Sequence, residues 1–220
     1  MAILEPAGLE FLLRWGHFLG GITWLGLLYY FNFVQTEYFK EADPAARGDA
    51  FQKLVPRAFW WFRWGAMLTF LTGVAIYGMR GAAVSFDIVV GALIGTLMFL
   101  NVWMVIWPKQ KILIASATKV ASGGEALPEA AKAAPKAALA SRTNTMFSLP
   151  MLFFMGASTH FNHGLIGSAS KTALIVILVI IAAIEVNGIV GKPGPIATIR
   201  GVIIAGFVLT AVLYGVMVAL

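Results

Sequence analysis

Three histidines stand in or beside long apolar stretches, and imidazole is a common ligand of iron in proteins. His17 lies inside the apolar stretch Leu12–Asn32, while His160 and His163 come at the end of a later one. An ionisable side chain inside a membrane-length stretch is costly, so its presence predicts a function. Imidazoles from facing helices can hold haem iron without a covalent link. The histidines therefore predict a haem b site with His17 and His160 as iron ligands, or His17 with His163.

The residues around His17 are also those that a bound macrocycle needs. Arg14 lies three residues earlier on the same helical face and nearer the membrane surface, where it would pair with a haem propionate. Gly20 and Gly156, each close to a histidine, leave room for the ring. Trp24 lies two turns along the His17 face and would line the same pocket. The alternative is that His17 bonds a neighbouring helix and that the later histidines are interfacial residues touching water.

A second polar group gathers toward the other end of the predicted spans. Asn32 ends the first span, Asn101 lies near the inner end of the third, and Arg142 and Asn144 open the fourth. Together with a helix N-terminus, these side chains predict a site for a planar, hydrogen-bonding, weakly acidic substrate. The alternative is a capped helix end with hydrogen bonds between helices. Glu185 in the fifth span would either relay protons or be solvated at the interface.

The composition places these residues in a membrane protein. Of the 220 residues, 60% are hydrophobic and 12% are charged, whereas a soluble domain carries about 25% charged residues. The mean hydropathy is +0.84. The absence of cysteine excludes disulfides, thiolate metal sites, iron–sulfur clusters and a covalently attached c-type haem.

Apolar stretches of about 20 residues are long enough to cross a bilayer as helices. The sequence therefore predicts an all-α polytopic membrane protein, one domain over residues 1–220, with a bundle of six transmembrane helices. The segment 109–142, rich in Ala and Lys, is predicted to be a long cytoplasmic loop whose Ala-rich halves could form short surface helices. The predicted spans are 9–35, 60–78, 86–107, 143–161, 172–189 and 196–220.

The basic residues orient the predicted bundle. Most of them fall in the loops after the first, third and fifth spans, and the other side holds only Arg14, Arg80 and Lys171. Loops rich in Lys and Arg stay in the cytoplasm, so both termini are expected outside. Topology also accounts for the net charge of +6, so lipid is the expected surrounding and no nucleic-acid partner is predicted.

Three stretches resemble a known family in their sequence and order. They are Trp24–Gln35, Asn101–Lys111 and Ala140–Met155, and they are similar to the membrane domain of bacterial membrane-bound urate oxidase. The resemblance implies a protein of the bacterial inner membrane with a redox role, so the outer side is periplasmic. Members of that family pass electrons from urate to a C-terminal cytochrome c domain, of which these 220 residues hold no counterpart. The start of the first span is also similar to small haem-binding membrane proteins of the copper-resistance and protoporphyrinogen-oxidase families.

The residues and the resemblance together predict a haem-b-binding membrane redox subunit. Its electron partner would be a cytochrome or a larger respiratory membrane complex. One alternative is an accessory subunit without a cofactor, which packs against a larger complex through its glycine and aromatic faces. Another is a urate-oxidising enzyme that uses a separate cytochrome, so whether the chain is itself an enzyme stays open.

Overall fold

The computed structural model describes residues 3–160 and 162–220. Within these ranges the fold is all-α, and β pairing is limited to one isolated antiparallel bridge between Ser85 and Leu165. Two π-helical segments, Tyr30–Gln35 and Asn101–Ile106, continue α1 into α2 and α4 into α5 without a break. The α-helices are α1 Pro6–Tyr29, α2 Thr36–Glu41, α3 Pro44–Arg80, α4 Phe86–Leu100, α5 Trp107–Ala121, α6 Pro128–His160, α7 Lys171–Val190 and α8 Ile199–Ala219.

The predicted spans fall on six continuous helical stretches in the predicted order. Three of these stretches, Phe86–Ala121, Lys171–Val190 and Ile199–Ala219, are long and apolar enough to cross a membrane. The helix in the last predicted span begins later than predicted, at Ile199, because residues 196 and 197 belong to the 3₁₀ turn Gly194–Ala197 that precedes α8. The predicted end of the fourth span, Phe161, lies outside the described residues.

Most of the segment predicted as a loop, 109–142, is helical. Helix α5 continues to Ala121 and α6 begins at Pro128, so the connection between them is short. Alanine has the highest helix propensity of all residues, and polar residues that end an apolar span do not end a helix. The Ala-rich halves are thus continuations of the long helices.

Helix lengths divide the bundle into two groups. The 20 residues of α7 span about 30 Å at 1.5 Å per residue, which equals the hydrocarbon core of a bilayer. The 37 residues of α3 span about 55 Å and the 33 residues of α6 about 50 Å. The longer helices therefore continue beyond the length of a bilayer-spanning helix.

Small residues let α1 lie close along α3. A Cβ placed on Gly20 would lie 2.9 Å from the backbone nitrogen of Thr69, and one on Gly65 would lie 3.1 Å from the backbone nitrogen of Trp24. Only glycine at both positions permits this distance between helices. Below the glycines, Phe31 stacks on Phe59 with ring centroids 4.3 Å apart. The glycine contact positions the His17 end of α1 against α3, and the aromatic stacking positions the other end.

Helix α6 is central and packs against α4, α5, α7 and α8. Its middle is buried on almost every side, including Asn144, Phe147 and Phe154. Polar residues in such an all-round buried stretch need partners on the surrounding helices. The amide-rich segment of α6 is therefore where contacts between helices concentrate.

Candidate functional sites

A buried polar cluster joins the π-helical segment after α4 to α6 and α7. The Asn101 side-chain amide donates to Asn144 Oδ1 at 2.9 Å and to Glu185 Oε2 at 3.1 Å. The exposed fractions of these side chains are small, at 2%, 0% and 9% respectively. Two amides and one carboxyl thus meet inside apolar helices. We call Asn101, Asn144 and Glu185, with the groups that they contact, the amide layer.

A backbone carbonyl completes this part of the layer. The Asn144 side-chain amide donates to the Met98 carbonyl oxygen at 2.9 Å. Met98 lies one turn before Asn101, where α4 passes into a π-helical segment. A π-helical turn changes the pairing of nearby backbone groups, and such turns are frequent at functional sites. Asn144 therefore bonds the helix twice near the start of the π-helical segment: its side-chain oxygen accepts from Asn101, and its side-chain nitrogen donates to Met98 O.

A second set of hydrogen bonds comes from the end of α1 and the π-helical segment that follows it. The Asn32 side-chain amide donates to Leu28 O at 2.9 Å and to Ser141 Oγ at 2.8 Å. Tyr29 Oη lies 2.8 Å from Ser148 Oγ, and Ser148 donates its own proton to Thr145 O. Tyr29 is therefore the donor of that bond. Both sets of hydrogen bonds therefore reach the polar stretch of α6 from Ser141 to Ser148.

Of the four residues predicted to contact a substrate, the structure joins two directly and a third to the same helix. Asn101 and Asn144 bond each other, and Asn32 reaches Ser141 on α6. Arg142 does not bond the other three, because its Nη1 donates to Ile196 O at 3.0 Å. Sequence reasoning missed Tyr29, Ser148 and the Met98 carbonyl, because a hydroxyl or a backbone oxygen in an apolar helix gives no signal of its partner.

His17 has a defined orientation at the other end of α1. Its Nδ1 lies 3.1 Å from Thr72 Oγ1, and Thr72 donates its own proton to Leu68 O at 2.6 Å. His17 Nδ1 is therefore the donor, and Nε2 carries the ring's lone pair. Gly73 lies against the ring, where a Cβ would be 3.1 Å from His17 Cε1. The α1–α3 contact thus fixes both the tautomer and the orientation of the imidazole.

Arg14 and Trp24, which the sequence predicts beside His17, lie in different surroundings. Arg14 Nη2 lies 2.6 Å from Glu10 Oε1, and Arg80 Nη2 lies 3.4 Å from the same oxygen. Trp24 is 2% exposed, and its indole Nε1 has no hydrogen-bond partner among the described residues. Arg14 thus faces solvent on a small ionic cluster, whereas Trp24 is part of the core.

His163 anchors the loop that follows α6. Its backbone N–H donates to Asp87 Oδ2 at 2.8 Å. Its ring Nδ1 lies 2.8 Å from Oδ1 of the same carboxyl. Asp87 is fully buried. The backbone N–H of Phe86 also donates to Gly164 O at 3.0 Å, where Gly164 has a φ of 88°. The loop is therefore tied to the start of α4 by side-chain and backbone bonds together.

His160 differs from the other two histidines. It is the last residue of α6 and is exposed. Among the described residues no group of three or more His, Asp or Glu side chains could hold a metal ion. Haem iron, however, takes its protein ligands singly from opposite sides of the ring. The His17 tautomer, with the lone pair on Nε2, is chemically suited to that role.

Apolar helices joined by buried amides, three of them long enough to cross a bilayer, define this chain as an all-α membrane protein. The family model described as urate oxidase N-terminal matches residues 79–213. The chain belongs to that family, which confirms the resemblance seen in the sequence. The matched range contains the α4, α6 and α7 parts of the amide layer and begins after α1. No curated protein and no solved structure matches the chain.

Proposed function

We propose that this chain is a multi-pass redox subunit of the bacterial inner membrane, related to the membrane domain of urate oxidase, that binds haem b. Six helical stretches would cross the bilayer, with both termini on the periplasmic side. The excess of Lys and Arg in the segments that follow the first, third and fifth predicted spans supports this orientation. The electron partner would be a cytochrome or a larger respiratory membrane complex.

The hydrogen bond from His17 to Thr72 is the observation that carries the proposal. An imidazole that binds a metal donates a hydrogen bond from its second ring N–H to a partner that fixes the ring. Loss of that partner weakens metal binding. Thr72 supplies this partner from α3, and Gly73 gives the ring space. The buried Trp24 N–H, without an acceptor in the described chain, is the kind of donor that a bound group satisfies.

We assign His160 as the second iron ligand. It stands exposed at the end of α6, whereas the His163 ring is bonded to the buried Asp87. Arg14 would pair with a propionate, sharing its position with Glu10. When bound, haem b supplies a one-electron couple. The chain's own contribution is to orient two imidazoles and to surround them with apolar helices.

A reduced-minus-oxidised spectrum of the purified protein tests this proposal. We expect a b-type band that is lost in His17→Ala and in His160→Ala. His163→Ala is the matched control and should keep the band, because we assign His163 to loop anchoring. Absence of the band in the natural protein would refute haem binding and leave an accessory subunit. A band lost in His163→Ala and kept in His160→Ala would overturn the choice of second ligand.

The amide layer favours a second function, urate oxidation with a separate cytochrome. Two of the three stretches that carry the family resemblance meet there, through Asn101 and Asn144, and the third bonds the same helix through Asn32 and Ser141. Amides can match the alternating donors and acceptors of a planar purine, and the Glu185 carboxyl can exchange a proton with it.

Urate-dependent reduction of an added electron acceptor tests this second function. Glu185→Gln keeps the shape of the layer and removes the proton-exchanging group, so activity should fall by about 100-fold if the carboxyl acts as general base. Asn187→Ala, which alters an exposed amide on the same helix, is the control and should stay active. Equal activity in both variants would exclude Glu185 from the chemistry.

A further inference from the structure

A cavity lies between α6, the end of α7 and the turn before α8. Its volume is about 420 Å³. Lys136, Leu139 and Arg142 line it from α6, and Val190 and Pro193 line it from the α7 side. The cavity therefore has two cationic groups set against an apolar wall.

Among the described residues, no ion pair joins Lys136 or Arg142 to a carboxylate. From residue 130 to the end of the chain, the sequence contains a single acidic residue, Glu185. Glu185 is buried in the amide layer and bonds Asn101. Lys192 adds another cation in the adjacent loop. The cavity thus presents uncompensated positive charge.

The guanidinium of Arg142 is held in place at the cavity. Its Nη1 donates to Ile196 O at 3.0 Å, which ties α6 to the turn before α8. This is the one bond that the guanidinium makes within the described chain. A guanidinium has five N–H donors, so its other donors remain for an anion, in the geometry that binds phosphate best.

The cavity lies at the height where lipid headgroups would be. The apolar helix α7 ends at Val190, and its 20 residues match the hydrocarbon core of a bilayer. Ile189 and Val190 are exposed and Leu139 is buried beside them. An acyl chain can lie along this wall while its phosphate reaches the cations, and a soluble anion would leave the wall uncovered.

The geometry points to a site for one anionic phospholipid, with its phosphate between Lys136 and Arg142 and an acyl chain along Leu139, Ile189 and Val190. Basic pockets between transmembrane helices on the cytoplasmic side recognise such headgroups. The site needs no haem and no urate, and it rests on the proposed function only for the orientation of α6 and α7 in the bilayer.

Native mass spectrometry of the whole protein with added lipid tests the site. Phosphatidylglycerol should be retained as one molecule per chain in preference to phosphatidylcholine. Lys136→Glu should lower that retention by more than fivefold, since one cation near a headgroup is worth about a fivefold change in affinity. Lys119→Glu is the matched control, an exposed lysine on α5 outside the cavity, and should retain the lipid.

Three results would overturn the site. Equal retention of phosphatidylcholine would show that headgroup charge is not recognised. Displacement of the lipid by millimolar inorganic phosphate would show an anion site without a lipid contact. Retention of phosphatidylglycerol by Lys136→Glu, at the level of Lys119→Glu, would show that the lipid binds elsewhere.

Discussion

The amide layer and the His17 site both place polar side chains inside apolar helices, and they differ in what their bonds do. In the amide layer, the side chains of Asn101 and Asn144 bond one another, Glu185 and a backbone oxygen. At the His17 site, one ring nitrogen bonds Thr72 and the tautomer leaves a lone pair on the other. The layer joins helices to each other, whereas His17 bonds α3 through one ring nitrogen, and the haem proposal assigns the other nitrogen to iron.

This difference predicts which property a variant in each region affects first. Loss of a member of the amide layer leaves partners unsatisfied within the bundle, which costs stability. Loss of Thr72 should cost little stability and should let the imidazole rotate, which would lower the affinity for the haem that we propose. Variants in the two regions should therefore affect different measurements.

Gly20→Ala should give the largest loss of stability, because the added Cβ meets the backbone of Thr69. Overpacking of this kind costs about 3 kcal/mol when the neighbour cannot move. Unfolding in mixed micelles with increasing dodecyl sulfate measures the change. Gly21→Ala is the control, since a Cβ there meets nothing within 4 Å. Equal stability of the two variants would contradict the close α1–α3 contact.

Asn144→Leu should lower the free energy of unfolding by about 2 kcal/mol, because Met98 O and an Asn101 N–H lose their partner. The same unfolding titration measures it. Thr96→Val is the control and removes a bond within a single helix, to Ala92 O. If both variants lost the same stability, bonding between helices would not be what the layer provides.

Thr72→Val should have the smallest effect on folding, about 0.6 kcal/mol, which is typical of one hydrogen bond in a membrane bundle. Its effect on haem should be larger, about a tenfold weaker affinity, because the His17 ring loses the acceptor that orients it. A haem titration of the apoprotein measures this change. Affinity equal to that of the natural protein would mean that Thr72 does not orient the ligand.

The sequence predicts the helical class and the depth at which polar groups gather. Apolar stretches indicate helices that can cross a bilayer, and Asn101 with Asn144 could be grouped because topology puts both near the same end. The ends of the helices could not be predicted in this way, because hydropathy reports where a span ends and not where helical hydrogen bonding ends. This is why 109–142 was predicted as a loop.

Partners that are distant in sequence are the part that the sequence does not reveal. The bond from His163 to Asp87 joins residues 76 positions apart, and nothing in either local stretch indicates the other. The same holds for His17 and Thr72, which lie on different helices. The π-helical turns at Asn32 and Asn101 are also silent in the sequence, because the residues around them favour a regular helix.

The ligation of the proposed haem b tests the central claim most directly. Electron paramagnetic resonance of the oxidised protein should show a low-spin iron with two imidazole ligands. His17→Gly should convert it to a high-spin form, and added imidazole should restore the low-spin signal by occupying the vacated position. A low-spin signal that persists in His17→Gly without imidazole would contradict the assignment of His17 as an iron ligand.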